Sequence, residues 1–193
     1  RLLEIIPTPH TDPEVVDFLM HYGDLYLGKT TVLCKDTPAF IANRIGVFGM
    51  MAIMNTMEKL QLSVDEIDAL TGPVIGRPKS ATFRTADVVG IDTLVKVAKG
   101  VYDNCPNDEA KEKFIIPAWL NKMIENNWLG DKTGQGFFKK IKGADGSKDI
   151  QVLNLQTMEY EPRKKPKFAT LETAKPIEDL NTRIKALCAG TDK

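Results

Sequence analysis

The segment that decides the fold is KDTPAFIANRIGVFGMMAIMNTMEKL, which covers residues 35–60. Near its start Asp36 and Thr37 stand before Pro38, and a polar capping residue followed by proline is typical of a helix start. Beyond this point apolar side chains fall on almost every helical face, which is typical of a helix inside a protein core or a bilayer. The sequence therefore predicts one long buried helix from Pro38 to Leu60.

A protein core explains this helix better than a membrane does. Asn43, Arg44 and Asn55 interrupt the apolar run, whereas a bilayer span needs about 20 consecutive apolar residues. Polar side chains within a bilayer are also costly. The helix carries the methionines Met50, Met51, Met54 and Met57. Their flexible thioethers favour adaptable packing at a helix interface or an oligomer contact over a cofactor site.

Shorter elements precede the long helix. Residues 2–6 are apolar and stopped by prolines, which predicts a strand, and residues 30–34 predict a second strand. Between them, Asp12 and Pro13 predict the start of an amphipathic helix that continues to Gly28. Its apolar stripe consists of Val15, Leu19, Tyr22 and Tyr26.

Helical patterns continue after the long helix and make the predicted fold mainly α. Residues 63–72 begin with a capping-box pattern and predict a short helix. Polar residues 76–85 then predict a loop. Asp92 predicts the cap of the next helix, and residues 117–128 predict another. The inward positions of these two helices are Leu94, Val95, Ala98, Val101, Tyr102, Leu120, Met123 and Ile124.

Turn and strand patterns follow. GDKTGQG, residues 130–136, predicts a glycine-rich turn. A phosphate-binding loop is disfavoured because the G-x-x-x-x-G-K-[ST] spacing is absent. Turn residues 144–147 and the apolar pattern of residues 150–160 predict a small β-hairpin.

The C-terminal region is predicted to be a linker and a tether. Basic residues 163–167 indicate a solvated linker, with contact to a CoA phosphate as the alternative. Residues 176–187 predict a last amphipathic helix. The chain therefore divides into a helical domain, residues 1–143, and a hairpin, linker and terminal helix, residues 144–193.

Composition excludes several classes of function. The 26 basic side chains balance 26 acidic ones, so the global positive charge that drives binding to nucleic acid or anionic membranes is absent. Cys34, Cys105 and Cys188 are widely spaced, which predicts no metal site and, as reduced thiols, a cytoplasmic protein. His10 and His21 have no acid or nucleophile at motif spacing. The opening RLLEII is neither a start methionine nor a secretory signal, which suggests a piece of a longer polypeptide.

Residues 35–44, KDTPAFIANR, resemble the K-D-T-P-G-F-I-x-N-R motif of the 3-hydroxyacyl-CoA dehydrogenases. The likeness continues in the family's order through VDEID (64–68), DVVGID (87–92) and LGDKTGQGFF (129–138). The tail LQTMEYEP (155–162) is similar to bacterial fusion enzymes in which the dehydrogenase precedes an enoyl-CoA hydratase.

The resemblance implies the mainly α C-terminal domain of such an enzyme, similar to that of 6-phosphogluconate dehydrogenase, with a small β-hairpin and a C-terminal extension. It implies NAD-dependent oxidation of L-3-hydroxyacyl-CoA to 3-oxoacyl-CoA in fatty-acid β-oxidation. NAD would be bound mainly by an N-terminal Rossmann domain outside this sequence, because no G-x-G-x-x-G follows a strand here. The resemblance also implies a homodimer and a hydratase domain in the same parent chain. The isolated chain is expected to be inactive.

Two catalytic residues are implied by the resemblance. Glu4 matches the family's carboxylate that holds and charges a catalytic histidine, which the family places just upstream of this sequence; such a carboxylate fixes the imidazole tautomer and stabilises its cation. Asn43 matches the motif's asparagine, whose amide can donate to the substrate carbonyl or to the histidine. The alternatives are a solvated Glu4 and a core Asn43 bonded to backbone. Arg44 is expected to be a structural ion-pair partner.

Two features depart from the family. Ala39 replaces the usual glycine, which curtails close backbone approach near Asn43, and residues 77–84 are polar where the family is apolar. The chief alternative function is an assembly module, in which the long helix pairs with a second copy and the tail docks a hydratase. A domain of a 6-phosphogluconate-type dehydrogenase is a further alternative, which the K-D-T-P motif disfavours.

Overall fold

Helices form most of the regular structure in the computed structural model, which describes residues 2–142 and 148–191. The strands are β1 (Leu2–Ile5), β2 (Thr30–Leu33), β3 (Phe138–Lys142), β4 (Lys148–Asn154) and β5 (Glu159–Pro162). The helices are α1 (Pro13–Leu25), α2 (Ala42–Leu60), α3 (Val64–Leu70), α4 (Phe83–Val89), α5 (Ile91–Asn104), α6 (Ala118–Glu125), α7 (Ala169–Ala174) and α8 (Leu180–Cys188). The predicted mainly α fold class is confirmed.

The chain folds as two compact units, and the first contains Arg1–Met51 and Val97–Ile115. Here the two predicted strands are confirmed, and β1 pairs with β2 in parallel. Helix α1 connects them. Its N-cap is Asp12, as predicted, whose carboxylate accepts the amide of Glu14 at 2.9 Å. The buried apolar side chains of this unit are Ile5, Cys34, Val47, Met51, Ala98, Val101 and Phe114.

The apolar stripe of α1 has the predicted spacing but is exposed. Phe18 stacks on Tyr22 with ring centroids 5.6 Å apart, and Tyr22 stacks on Tyr26 at 5.4 Å. Phe18 is 60% exposed and Tyr26 is 77% exposed. Within residues 2–142 and 148–191, therefore, this aromatic face has no cover.

Helix α2 begins at Ala42, four residues after the predicted start at Pro38. The residues Ala39 and Phe40 have φ angles of 63° and 50°, which lie in the left-handed region and cannot continue a right-handed helix. The prediction that residues 36–37 cap this helix is therefore wrong. The sequence pattern located the turn correctly but placed the helix start inside it.

One face of α2 is buried and another is exposed, although the sequence predicts burial on almost every face. Met54 and Met57 are at most 5% exposed, whereas Ile45 is 66% exposed. In the part of the chain that the structure describes, no helix has the length and apolar character needed to cross a membrane.

The second unit contains Ala52–Lys96 and Ile116–Lys193. Helix α3 begins with the predicted capping box formed by Ser63 and Glu66, in which each side chain binds the other's backbone amide. The loop predicted over residues 76–85 is wrong in its last part, because this region contains the start of α4.

The start of α4 depends on a carboxylate from another helix. Asp68 on α3 accepts the backbone amide of Thr82 at 3.1 Å. It also accepts the amides of Phe83 and Arg84 at 2.7 and 3.1 Å. This carboxylate satisfies amides that have no partner within the helix. Since the cap lies far away in sequence, the local pattern around residue 82 gives no sign of it.

The predicted role of Asp92 as a helix cap is also wrong. Helix α5 begins at Ile91, so that Asp92 lies in its first turn. There its carboxylate forms an ion pair with Lys132, and a carboxylate in the first turn still interacts favourably with the helix dipole.

The C-terminal region contains more structure than the sequence predicts. Strands β3, β4 and β5 form a three-stranded antiparallel sheet in that order, where a two-stranded hairpin was predicted. The predicted turn at residues 144–147 and the predicted domain boundary after residue 143 lie outside the described residues. The last predicted helix, residues 176–187, corresponds to α8, which begins at Leu180, four residues after the predicted start. The helix before it, α7, was not predicted.

The basic segment 163–167 is anchored at its start, where the sequence predicts a solvated linker. Arg163 Nε donates to Asp65 Oδ1 at 2.8 Å, and the Lys164 amide donates to Oδ2 at 3.0 Å. Asp65 is 4% exposed, and a buried carboxylate needs such partners. The Arg163 guanidinium also lies 4.8 Å above the Phe138 ring.

Candidate active site

Glu4 lies on β1 beside the start of α2. Its Oε1 accepts the backbone amides of Ile41 and Ala42 at 2.9 and 2.8 Å. Amides at a helix N-terminus have no partner within the helix, and the helix dipole attracts a negative charge there. Glu4 therefore takes the capping role that the sequence assigned to residues 36–37.

This contact brings the two predicted site residues to the same place in the first unit. Asn43 directly follows Ala42 in the first turn of α2. The side chain of Asn43 is exposed and has no hydrogen-bond partner among residues 2–142 and 148–191, which argues against a core asparagine bonded to backbone. Glu4 is half-buried, which equally argues against an ordinary solvated carboxylate.

Cys34 is a neighbour of Glu4 that the sequence pattern did not single out. Its Sγ lies 3.8 Å from Glu4 Oε1, and its amide donates to the Ile5 carbonyl at 2.8 Å. Burial, followed by the negative charge of Glu4, raises the pKa of the Cys34 thiol, so this thiol stays protonated and is a donor rather than a nucleophile. The signal that could have found it is the presence of two predicted strands, residues 2–6 and 30–34, since pairing of these strands places Cys34 near Glu4.

Arg44 forms the structural ion pair that the sequence predicts. Its guanidinium pairs with the Asp108 carboxylate. This hydrogen bond lowers the pKa of Asp108, whose other oxygen accepts the Ala110 amide at 2.8 Å. Arg44 is therefore engaged in holding the segment after α5.

The glycine-rich segment 129–138 closes around Asp87 in the second unit. Asp87 is 1% exposed. Its two oxygens accept the amides of Phe137 and Phe138 at 2.8 and 2.9 Å. The segment turns back on itself through the isolated bridge between Gly130 and Gln135. The predicted glycine turn is thus confirmed.

The glycines of this turn are required by close packing. A methyl group at Gly130 would overlap the backbone of Asp87, and one at Gly136 would overlap its carboxylate. Gly130 also has a φ angle of 95°, which side chains disfavour. This close packing gives a structural reason for the motifs that segments 87–92 and 129–138 share with the family.

Burial sets the protonation of Asp87. Loss of hydration raises its pKa from 3.8 to about 6, against the lowering effect of the two amides and of Arg84. Burial raises the pKa of Asp68 as well, against three backbone amides. Both carboxylates with a raised pKa have structural roles: Asp68 binds the first amides of α4, and Asp87 binds the amides of Phe137 and Phe138 after the glycine turn.

Comparison with known proteins places the matched motifs in one family. The family model described as 3-hydroxyacyl-CoA dehydrogenase, C-terminal domain, matches residues 40–140. This chain belongs to the 3-hydroxyacyl-CoA dehydrogenase family. The match includes Asn43, the Asp87 support and the glycine turn.

Relatives of this 3-hydroxyacyl-CoA dehydrogenase domain are longer proteins. A probable 3-hydroxyacyl-CoA dehydrogenase of Bacillus subtilis is 48% identical over 100% of this chain and 24% of its own length. A putative fatty acid oxidation complex trifunctional enzyme of Rickettsia prowazekii is 29% identical over 86% of this chain and 23% of its own length. The chain therefore spans about a quarter of the length of these curated relatives.

A solved structure agrees with the dehydrogenase fold. The crystal structure of M. tuberculosis FadB2 matches with a TM-score of 0.61 and 26% identity, over 70% of this chain and 46% of that one.

The loops that follow the two parallel strands lack the glycines of a dinucleotide-binding turn. The loops that follow β1 and β2, residues 6–12 and 34–41, contain no glycine, whereas a pyrophosphate needs a glycine-rich approach to a helix N-terminus. Among residues 2–142 and 148–191, no three His, Cys, Asp or Glu side chains converge as metal ligands.

Proposed function

We propose that the parent polypeptide of this chain is an NAD-dependent L-3-hydroxyacyl-CoA dehydrogenase of fatty-acid β-oxidation, and that this chain supplies Glu4 and Asn43 to its active site. The observation that carries the proposal is the contact between Glu4 and the first amides of α2. It holds a carboxylate beside a helix whose first turn carries an amide side chain without a partner among the described residues.

Glu4 suits the role of a histidine partner. Its Oε1 is fixed by two backbone amides and faces the Cys34 thiol, whereas Oε2 has no hydrogen bond with the described residues. The second oxygen can therefore accept an N–H from an imidazole supplied by polypeptide outside this chain. It would orient that imidazole and stabilise its cation as it takes the hydroxyl proton of the substrate.

Asn43 suits the role of a donor to the substrate oxygen. An exposed side-chain amide at the start of a helix can donate to that oxygen as the alcohol becomes a carbonyl. Because the amide is neutral, desolvation by a bound substrate costs less than for a cation. Asn43 can therefore donate a hydrogen bond to the substrate oxygen throughout the oxidation while its own side chain stays neutral.

NAD supplies the hydride acceptor when bound, and we propose that a separate N-terminal Rossmann domain holds it. Two features of the first unit favour the presence of such a domain. The sheet of β1 and β2 has two strands, and so small a sheet is marginal without further strands. The exposed aromatic face of α1, with Phe18 and Tyr26 at its ends, is also unusual for a free surface.

The experiment that tests this proposal is an activity assay on the 193-residue chain alone. The purified chain is expected to produce no NADH from 3-hydroxybutyryl-CoA and NAD, as followed by absorbance, because the imidazole and the dinucleotide site lie elsewhere. Circular dichroism of the same sample checks that it is helical. Clear turnover by the chain alone would contradict the proposal that the catalytic imidazole and the dinucleotide site lie outside this chain.

A second candidate function is assembly through α2, and the two functions can coexist. The observation that favours it is the exposed apolar face near the start of this helix, formed by Ile41, Ile45 and Phe48. Such a face suits a homodimer contact. Sedimentation velocity is expected to show dimers that Ile45→Lys dissociates, and a strict monomer at high concentration would oppose this role.

The parent protein is also proposed to carry an enoyl-CoA hydratase domain and to be cytoplasmic. The Rickettsia relative, described as a trifunctional enzyme of a fatty acid oxidation complex, supports a parent with several activities.

A further inference from the structure

A groove in the second unit combines a large volume with many positive charges. Its volume is about 760 Å³, which lies in the range of small-ligand sites. Six cations line it: Lys79, Arg84, Lys140, Arg163, Lys164 and Lys165. The proposed active-site residues Glu4 and Asn43 belong to the first unit, so this groove is a separate feature.

The carboxylates of the groove already have partners. Asp68 binds the backbone amides at the start of α4. Asp65 forms an ion pair with Arg163, at 2.7 Å. Asp131 accepts two hydrogen bonds of 2.7 Å from Arg84. Bidentate and charge-assisted contacts of this kind fix both guanidinium groups as parts of the wall.

Three lysines contribute positive charge that no close carboxylate neutralises. Lys79 precedes α4, Lys140 lies on β3, and Lys165 follows the anchored Arg163. None of the three forms an ion pair within residues 2–142 and 148–191. Lys140 is attracted to Asp131 and Lys165 to Glu172, but only at longer range. Ammonium groups gathered from three segments repel one another, and a bound anion would relieve that repulsion.

The same groove offers apolar surface beside these charges. Phe138, Ile150 and Pro166 line it, and Ile150 is 39% exposed. The Arg163 guanidinium lies 4.8 Å from the centre of the Phe138 ring. This ring is only 9% exposed, so Ile150 and Pro166 supply the open apolar surface. A planar ring can stack on such a surface while phosphates attached to it meet the lysines.

We propose that this groove binds a nucleoside diphosphate group, with its phosphates neutralised by Lys79, Lys140 and Lys165 and its base on the apolar surface. A free nucleotide and the ADP portion of a coenzyme A thioester share this chemistry. The proposal stands on charge, volume and apolar lining, and it is independent of the catalytic role of the first unit.

Isothermal titration of the 193-residue chain with ADP tests the proposal. ADP is expected to bind saturably, and its affinity is expected to fall as the salt concentration rises, because salt screens charge contacts. Adenosine has the base without the phosphates, and pyrophosphate has the phosphates without the base. Each is expected to bind at least about tenfold more weakly than ADP, and a tenfold change corresponds to about 1.4 kcal/mol of binding free energy. Coenzyme A binding more tightly than ADP would identify the thioester as the ligand, and the reverse order would identify a free nucleotide.

Paired variants locate the site. Lys79→Ala with Lys140→Ala is expected to weaken ADP binding at least about tenfold. The matched control, Lys96→Ala with Lys122→Ala, removes two exposed lysines outside the groove and is expected to leave binding unchanged. Circular dichroism compares the folding of both variants. Absence of ADP binding, equal binding by both variants, or pyrophosphate binding as tight as ADP would overturn the proposal.

Discussion

Ala39 shows how one residue changes the start of a helix. Its φ angle of 63° lies in the left-handed region, which glycine adopts without strain and alanine does not. The family motif has glycine at this position, and the observed conformation explains that preference better than the close approach expected from the sequence. The next residue, Phe40, shares the conformation, so the turn before α2 is strained in this chain.

Replacing Ala39 by glycine is expected to raise the free energy of unfolding by about 0.5–1 kcal/mol, because the strain of the left-handed conformation is removed. Urea denaturation measures the change. Ala52→Gly is the control, since Ala52 lies inside α2 and glycine there should lower stability by about 1 kcal/mol. A loss of stability in Ala39→Gly would contradict the strained turn.

Sequence reasoning at the residue scale succeeded where partners are near or carried by a motif. The capping box of Ser63 and Glu66 is local, and the structural ion pair of Arg44 followed from its place in the family motif. The contact of Glu4 with the amide of Ala42 was not predicted, because it joins residues 38 positions apart. Strand pairing creates that contact, and local periodicity carries no information about it.

At the scale of elements, the glycine turn and α4 depend on each other through Asp87. The carboxylate of this α4 residue binds the amides of Phe137 and Phe138, and the turn can approach it because Gly130 and Gly136 lack side chains. The sequence predicted the turn from its glycines. It missed α4, whose first amides are bound by a carboxylate on α3.

Gly136→Ala is expected to destabilise the protein by about 2–3 kcal/mol, because its methyl group would overlap the buried Asp87 carboxylate. Thermal and urea denaturation measure the loss. In Gly100→Ala the new methyl group meets open space within α5, so this control should gain about 0.5–1 kcal/mol. Equal effects of the two substitutions would show that packing around Asp87 is unimportant.

Asp87 also predicts a pH dependence of stability. Its pKa is about 6 in the folded protein and 3.8 as the ordinary value, so the folded state binds a proton between these values while the unfolded state does not. This group therefore raises the free energy of unfolding as pH falls, by about 1 kcal/mol between pH 7 and pH 5. Above pH 6 its buried charge lowers stability.

Urea denaturation at both pH values measures this contribution. In Asp87→Asn the rise from pH 7 to pH 5 is expected to be smaller by about 1 kcal/mol, because the side chain no longer titrates. Asp68 has a raised pKa for the same reason, and it keeps its contribution in both proteins. The same pH dependence in both proteins would contradict the assignment to Asp87.

At the scale of the whole molecule, the sequence predicted the mainly α fold and the family, because periodicity and motifs determine both. It predicted burial for the apolar faces of α1 and α2, whereas Tyr26 and Ile45 are 77% and 66% exposed. Helical spacing identifies an apolar face but not its partner. These exposed faces favour the proposal of a longer parent enzyme, and the chain spans 24% of the length of its Bacillus relative.

The most direct test of the proposed function is the turnover number of the full-length parent enzyme for 3-hydroxybutyryl-CoA, measured by NADH absorbance in Glu4→Gln and Asn43→Ala variants. Asn121→Ala, which changes an exposed asparagine of α6, is the matched control. We expect kcat to fall about 100-fold in the first two variants, as for other lost proton-transfer and oxyanion partners, and to stay unchanged in the control. Values of kcat within about twofold of the unaltered enzyme in both variants would contradict the assignment of Glu4 and Asn43.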